Sequence, residues 1–293
     1  MQPGTDTRSP SSEVALAITV PGEMTEIRPG RKLHLAVAPG GGRADTTIFL
    51  CHGAGGSKNQ WRAQWDALTA AGYRVVAWDY PGHGQGVRSR RREDFAGSAF
   101  VDDYLALFDR YKGKRNILAG HSYGTRISLA VMAALAAQGR LSQVESAFLI
   151  GAPPPIRTLG LGPIATWPVW LLALMRPKLD AAFVKAAWSP ATDPALIRFE
   201  NGLVQSNTLF MMKSLMTQSD ILDADRLGEL KLPMLLIAGA DDQITPPAAG
   251  EALASALPDA VIHTFENCGH QIMLEQPDQT TTALINLIET GAR

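Results

Sequence analysis

The chain has 293 residues, 46% hydrophobic and 19% charged, a length at which an α/β fold can still form one domain and a composition that supports a large buried core. Lys and Arg total 27 against 28 Asp and Glu, and the resulting net charge of -1 gives no general attraction for nucleic acid or an anionic membrane. Function must therefore come from a local site. The two cysteines, Cys51 and Cys268, are not in C-x-x-C spacing and are expected as free buried thiols.

Residues 1–12 are rich in Pro, Ser, Thr and Gly and lack the apolar run of a secretory signal, so they are expected to form a disordered tail on a cytoplasmic protein. Residues 14–20 and 32–38 read as two opening antiparallel strands, separated by Pro21-Gly22 and Pro29-Gly30. Residues 46–51 form an apolar run that enters the glycine-rich loop His52-Gly53-Ala54-Gly55-Gly56. Helical spacing of Trp61, Trp65, Leu68 and Ala71 follows, stopped by Gly72. A second buried strand over 73–78 runs into Asp79-Tyr80-Pro81-Gly82-His83-Gly84. Single strands alternating with helices predict a mostly parallel sheet. The basic cluster Arg88-Ser89-Arg90-Arg91-Arg92 adjoins Glu93 and Asp94 and is expected to be a solvated loop.

A helix over 99–111 leads to the strand 116–119, which breaks at Gly120-His121-Ser122-Tyr123-Gly124 before a small-residue helix. Strand, sharp turn and helix put Ser122 at an apex where its neighbours must be small. A strand over 147–151 ends in Ala152-Pro153-Pro154-Pro155, and the strand rhythm then stops until about residue 230. This middle stretch is rich in Trp, Leu, Met and Phe, and Gly160, Gly162, Pro163 and Pro168 interrupt its uncharged part. A helical insertion over one end of the sheet is expected there, with no membrane span. The rhythm returns over 234–238 before Gly239-Ala240-Asp241-Asp242. Next come a helix over 248–257, a strand over 261–265, Asn267-Cys268-Gly269-His270 and a closing helix over 276–289.

An unassisted serine hydroxyl is a poor nucleophile and needs a base, and the base needs an orienting group. Of six histidines, only His270 lies in a glycine-led loop after the final strand, where the order serine, acid, histidine puts the base. His52 and His121 are expected to play structural parts in their loops. The strand ending at Gly151 is followed by no carboxylate, which leaves Asp241 or Asp242 as the acid. Oxyanion donors are expected from the backbone N–H of Tyr123 and from the loop after His52, at Ala54.

These motifs, in this order over about residues 14–289, resemble the α/β-hydrolase superfamily, and within it the abhydrolase-domain proteins and the bacterial esterase and C–C hydrolase group. The resemblance implies an α/β fold with a mostly parallel eight-stranded sheet flanked by helices and a helical lid inserted after the sixth strand. The core would then comprise 13–152 and 231–293, with the lid over 153–230. The family spacing G-x-x-D selects Asp242, and a serine at 122 sets the chain apart from the dehalogenase and epoxide-hydrolase branches. The expectation is a serine hydrolase, acting through Ser122, Asp242 and His270 on a small ester, thioester or similar carbonyl substrate with an apolar acyl or aromatic group. No cofactor, metal or nucleic-acid partner is expected. The same triad could serve a C–C hydrolase, lyase or perhydrolase, and a non-catalytic binding protein on this fold is the remaining alternative.

Overall fold

The computed structural model describes residues 19–156, 167–204 and 207–291. The expected tail over 1–12, most of the first expected strand and part of the middle stretch lie outside the described residues.

Among the described residues, eight strands form one sheet in the order β1-β2-β4-β3-β5-β6-β7-β8. They are β1 (Glu23–Arg28), β2 (Arg31–Ala38), β3 (Arg43–Cys51), β4 (Tyr73–Asp79), β5 (Arg115–His121), β6 (Ser146–Ile150), β7 (Met234–Gly239) and β8 (Ala260–Phe265). The β1/β2 and β2/β4 pairs are antiparallel and all others are parallel. The helices are α1 (Arg62–Ala70), α2 (Gly97–Tyr111), α3 (Tyr123–Ala137), α4 (Val169–Ala187), α5 (Pro194–Val204), α6 (Leu209–Met216), α7 (Pro247–Ala256), α8 (Ile272–Glu275) and α9 (Pro277–Thr290).

The central strands read as continuous apolar runs because both faces are covered. Alternate residues go to opposite cores: Phe49 and Leu118 pack with Tyr104 of α2, Ile127 of α3 and Leu253 of α7, while Ile48 and Ile117 pack with Leu68 of α1 and Leu284 of α9. Cys51 and Cys268 are free and buried.

The first strand departs from the sequence reading. Thr19 and Val20 are not in a strand, and β1 begins only after Pro21-Gly22, at Glu23. Its sequence EMTEIR carries little apolar signal because it is the sheet's exposed outer edge, where charge discourages further pairing.

Between β6 and β7 the described residues form α4, α5 and α6 and contribute no strand to the sheet. No described helix is long and apolar enough to cross a membrane. The parallel strands share one direction, so the loops leaving β3, β5, β6, β7 and β8 all open at one end of the sheet. In open α/β sheets ligands bind at that end, beyond the carboxyl ends of the strands.

Candidate active site

Ser122 joins the end of β5 to the start of α3 with φ 52° and ψ -114°. A non-glycine residue held there stores about 1–3 kcal/mol of strain, which the surroundings must over-determine. They do so through backbone contacts: Ser122 N–H donates to Ile150 O at 2.9 Å and Thr125 N–H donates to Ser122 O at 3.0 Å. The flanking glycines are required by close approach. A Cβ on Gly120 would stand 2.7 Å from Gly124 O, and one on Gly124 would stand 2.4 Å from Cys51 O. The turn is thus pressed against the end of β3, and the serine is left partly accessible while its neighbours His121 and Tyr123 are buried.

Asp242 and His270 come together from the ends of β7 and β8. His270 Nδ1 lies 2.7 Å from Asp242 Oδ2, and Thr245 Oγ1 donates to the same oxygen at 2.7 Å. Oδ1 accepts from the N–H groups of Ile244 at 2.8 Å and Thr245 at 2.9 Å. Burial alone would raise the Asp242 pKa, but the His270 contact and the Thr245 donors outweigh it and hold the carboxyl below its ordinary value. The neighbouring Asp241 faces elsewhere, accepting from Ser189 Oγ at 2.6 Å.

The His270 loop is also close to the serine turn. His121 Nε2 lies 2.9 Å from His270 O, so it donates there, and the two imidazole rings sit 4.8 Å apart. A Cβ on Gly151, just beyond the Ile150 carbonyl that holds Ser122, would stand 3.3 Å from the His270 ring. Burial, followed by the neighbouring His270, pushes His121 down to about 3 and keeps it neutral.

Ala54 occupies a turn closed by Gly56 N–H donating to Gly53 O at 3.2 Å. A Cβ on Gly53 would stand 3.2 Å from Ser122 Cβ, so this loop passes directly over the serine. Tyr123 opens α3, where the first N–H groups have no intrahelical acceptor, and its side chain is buried in the core. Beneath the loop, Lys58 Nζ meets Asp79 Oδ2 at 3.0 Å with both side chains buried, and Gln85 N–H donates to the same oxygen at 3.0 Å. Asp79 therefore ties together the glycine-rich loops after β3 and β4.

Three further contacts had no signature in the sequence. Asn207 Nδ2 donates to Gly55 O at 2.5 Å, which joins the chain before α6 to the loop over the serine. Gln243 N–H donates to Ala186 O at 3.0 Å, bringing the Asp242 loop onto the end of α4. The buried Arg126 of α3 donates to Ile156 O at 2.7 Å and Ser219 O at 3.3 Å, fastening both ends of the helical segment to the helix that follows Ser122. Each joins residues far apart in sequence, so no local spacing announces it.

A doubly covered, mostly parallel sheet with a strained serine between strand and helix, and a His–Asp pair on later strand ends, has the architecture of an α/β-hydrolase. The model of the alpha/beta hydrolase family matches residues 48–283, and the chain belongs to that family. Protein ABHD8 of Mus musculus is 30% identical over 267 residues, covering 88% of this chain and 59% of that protein, so the chain spans about three fifths of the length of this relative. A 2-hydroxy-6-oxononadienedioate/2-hydroxy-6-oxononatrienedioate hydrolase of Cupriavidus pinatubonensis is 31% identical over 248 residues, covering 78% of this chain and 82% of that protein. Among solved structures, an esterase (EaEST) from Exiguobacterium antarcticum superposes with a TM-score of 0.78 at 19% identity, covering 92% of this chain and 100% of the other. At that identity the likeness carries the fold alone.

Proposed function

We propose that the chain is a serine hydrolase that cleaves an ester, thioester or similar carbonyl substrate through an acyl-enzyme. The observation that carries the reading is the 2.7 Å His270–Asp242 contact beside a serine held at positive φ. Ser122 Oγ attacks the carbonyl carbon while His270 Nε2 takes the hydroxyl proton, and Asp242 stays ionised against Nδ1–H. The N–H groups of Tyr123 and Ala54 stabilise the oxyanion, each worth roughly a hundred- to a thousandfold in turnover. His270 then returns its proton to the departing alcohol or thiol, and water, deprotonated by His270, releases the acid.

Residues 153–230 act as a lid that shapes the acyl pocket. Supporting an apolar acyl or aromatic group, the Met212 thioether stands 3.6 Å from the position of a Cβ on Gly55, beside the proposed oxyanion loop. A second reading, C–C bond hydrolysis on the same residues, is favoured by the 31% identity to the Cupriavidus hydrolase.

A fluorophosphonate probe should label the folded protein at Ser122, and Ser122→Ala should abolish the label; an unlabelled folded wild type sinks the proposal. Hydrolysis of p-nitrophenyl esters of increasing chain length, run beside a vinylogous diketone, separates the two readings. Preference for the diketone by kcat/KM would select carbon–carbon cleavage.

A further inference from the structure

The backbone around His270 is held on every side. Its N–H donates to Ala187 O at 2.7 Å, and its carbonyl accepts from His121 Nε2 at 2.9 Å. The N–H groups of the residues before and after it both donate to one side chain, Glu275: Gly269 to Oε2 at 3.0 Å and Gln271 to Oε1 at 3.0 Å.

The same carboxylate reaches the corner that follows α4. Ser189 N–H donates to Oε2 at 2.9 Å and Thr192 Oγ1 donates to Oε2 at 2.6 Å. Four donors thus converge on two oxygens. An ionised carboxylate suits that environment because it only accepts, whereas an amide would turn an NH2 group against N–H donors. The corner and the base loop also interlock sterically, since a Cβ on Gly269 would stand 2.7 Å from both Ala187 O and Ser189 N. Ser189 Oγ, on the same corner, donates to Asp241 beside the acid.

We infer that Glu275 is a positioning residue that sets the working geometry of the His270 loop and couples it to the helical segment between β6 and β7. Docking of that segment and placement of the base are then one event. The inference rests on the reading of His270 as the base. A shift of about 1 Å in a group that positions the chemistry can cost roughly a hundredfold in rate, so loosening this loop should appear in turnover ahead of binding.

The test compares Glu275→Gln and Glu275→Asp with wild type, each normalised to fluorophosphonate-titrated sites. Glu275→Gln should lower kcat by about 30- to 100-fold with KM changed less than about threefold, and Glu275→Asp, which keeps an acceptor-only group withdrawn by one methylene, should fall between. Amide exchange at Gly269 and Gln271 should quicken by about tenfold or more in Glu275→Gln while the amides of β5 and β6 keep their protection. A folded Glu275→Gln with kcat within about twofold of wild type overturns the inference. Should that variant not fold, Glu275→Asp carries the test alone: a loss in kcat at constant KM supports the coupling, and wild-type kcat overturns it. An unlabelled wild type sinks the serine-hydrolase reading instead, and amide exchange still tests the grip of Glu275 independently of the chemistry.

Discussion

Asp241 and Asp242 stand side by side after β7, yet their carboxylates serve different partners, Ser189 Oγ for the first and His270 Nδ1 for the second. In the proposed mechanism only the second holds the imidazole in the tautomer whose Nε2 can take a proton. Asp242→Asn should therefore lower kcat by about 10⁴-fold, the cost of presenting an amide where the histidine needs an acceptor. Asp241→Asn keeps a carbonyl acceptor for Ser189 Oγ and gives up only the charge on it, so it should cost no more than about 1 kcal/mol of stability and leave kcat within a few-fold. Comparable losses from the two substitutions would reject this division of labour. The choice between them was open from residue order alone, and the family spacing G-x-x-D selected Asp242. What residue order does not carry are the groups around the pair: Thr245 as donor to Asp242, and His121 as donor to the backbone carbonyl of His270. Both bonds exist only once separate strand ends are brought side by side.

Among the elements, α5 is joined to α1 by an ion pair that water hardly reaches. Arg62 Nη1 lies 2.7 Å from Glu200 Oε1, with side chains 4% and 8% exposed, and the guanidinium also lies 5.8 Å from the centre of the Phe199 ring. Burial raises the Glu200 pKa, and the charge of Arg62 opposes that rise only in part. Such a pair adds little net stability over apolar residues, but removing one partner strands a buried charge. Glu200→Ala should cost about 3–5 kcal/mol in denaturant unfolding, and the double replacement Arg62→Met with Glu200→Leu should recover most of it. A single variant as stable as wild type would show that water relieves the stranded arginine. The strands were far more legible than these contacts. β5, β6 and β7 are buried along nearly their whole length and announce themselves as apolar runs, whereas edge strand β1 carries Glu23, Thr25, Glu26 and Arg28 and shows no such run. The one-turn helix α8, which delivers Glu275, is too short for any 3.6-residue period to register. Long, doubly covered elements are written in composition; short and one-sided ones are defined by what packs against them.

For the molecule as a whole, four histidines outside the proposed triad are buried, His34, His52, His83 and His121, and burial lowers the pKa of each; the three most deeply buried set the main response to acid. Burial is the leading cause in each case, lowering His52 to about 4, His83 to about 3 and His121 to about 3. Neighbouring charges modify this: Asp79 favours the charged form of His52 and His83, and Asp242 that of His121, while Lys58 opposes it at His52, His52 and then Arg88 oppose it at His83, and His270 opposes it at His121. Each ring lies against a backbone carbonyl, with Nδ1 of His52 2.7 Å from Gly53 O and Nδ1 of His83 3.0 Å from Pro81 O, and Nε2 of His52 accepts from Tyr80 N–H at 3.4 Å, which a neutral ring alone can do. An unfolded chain protonates these rings near pH 6.5 while the folded chain does not, so the unfolded state binds more protons below that pH. Stability should be nearly flat above about pH 7 and fall as the pH drops from about 6.5 towards 4, by about 1 kcal/mol per pH unit for each of the three groups. Asp242, whose carboxyl is held below its ordinary value, adds a loss only at lower pH, below its unfolded value of about 4. Urea unfolding at pH 7, 6 and 5 with a constant m-value should therefore show a progressively steeper decline, and His83→Gln should flatten it by roughly one proton's share. Equal stability at pH 7 and pH 5 would mean that these histidines are protonated within the fold, and the neutral state assigned to His52, His83 and His121 would fall with it.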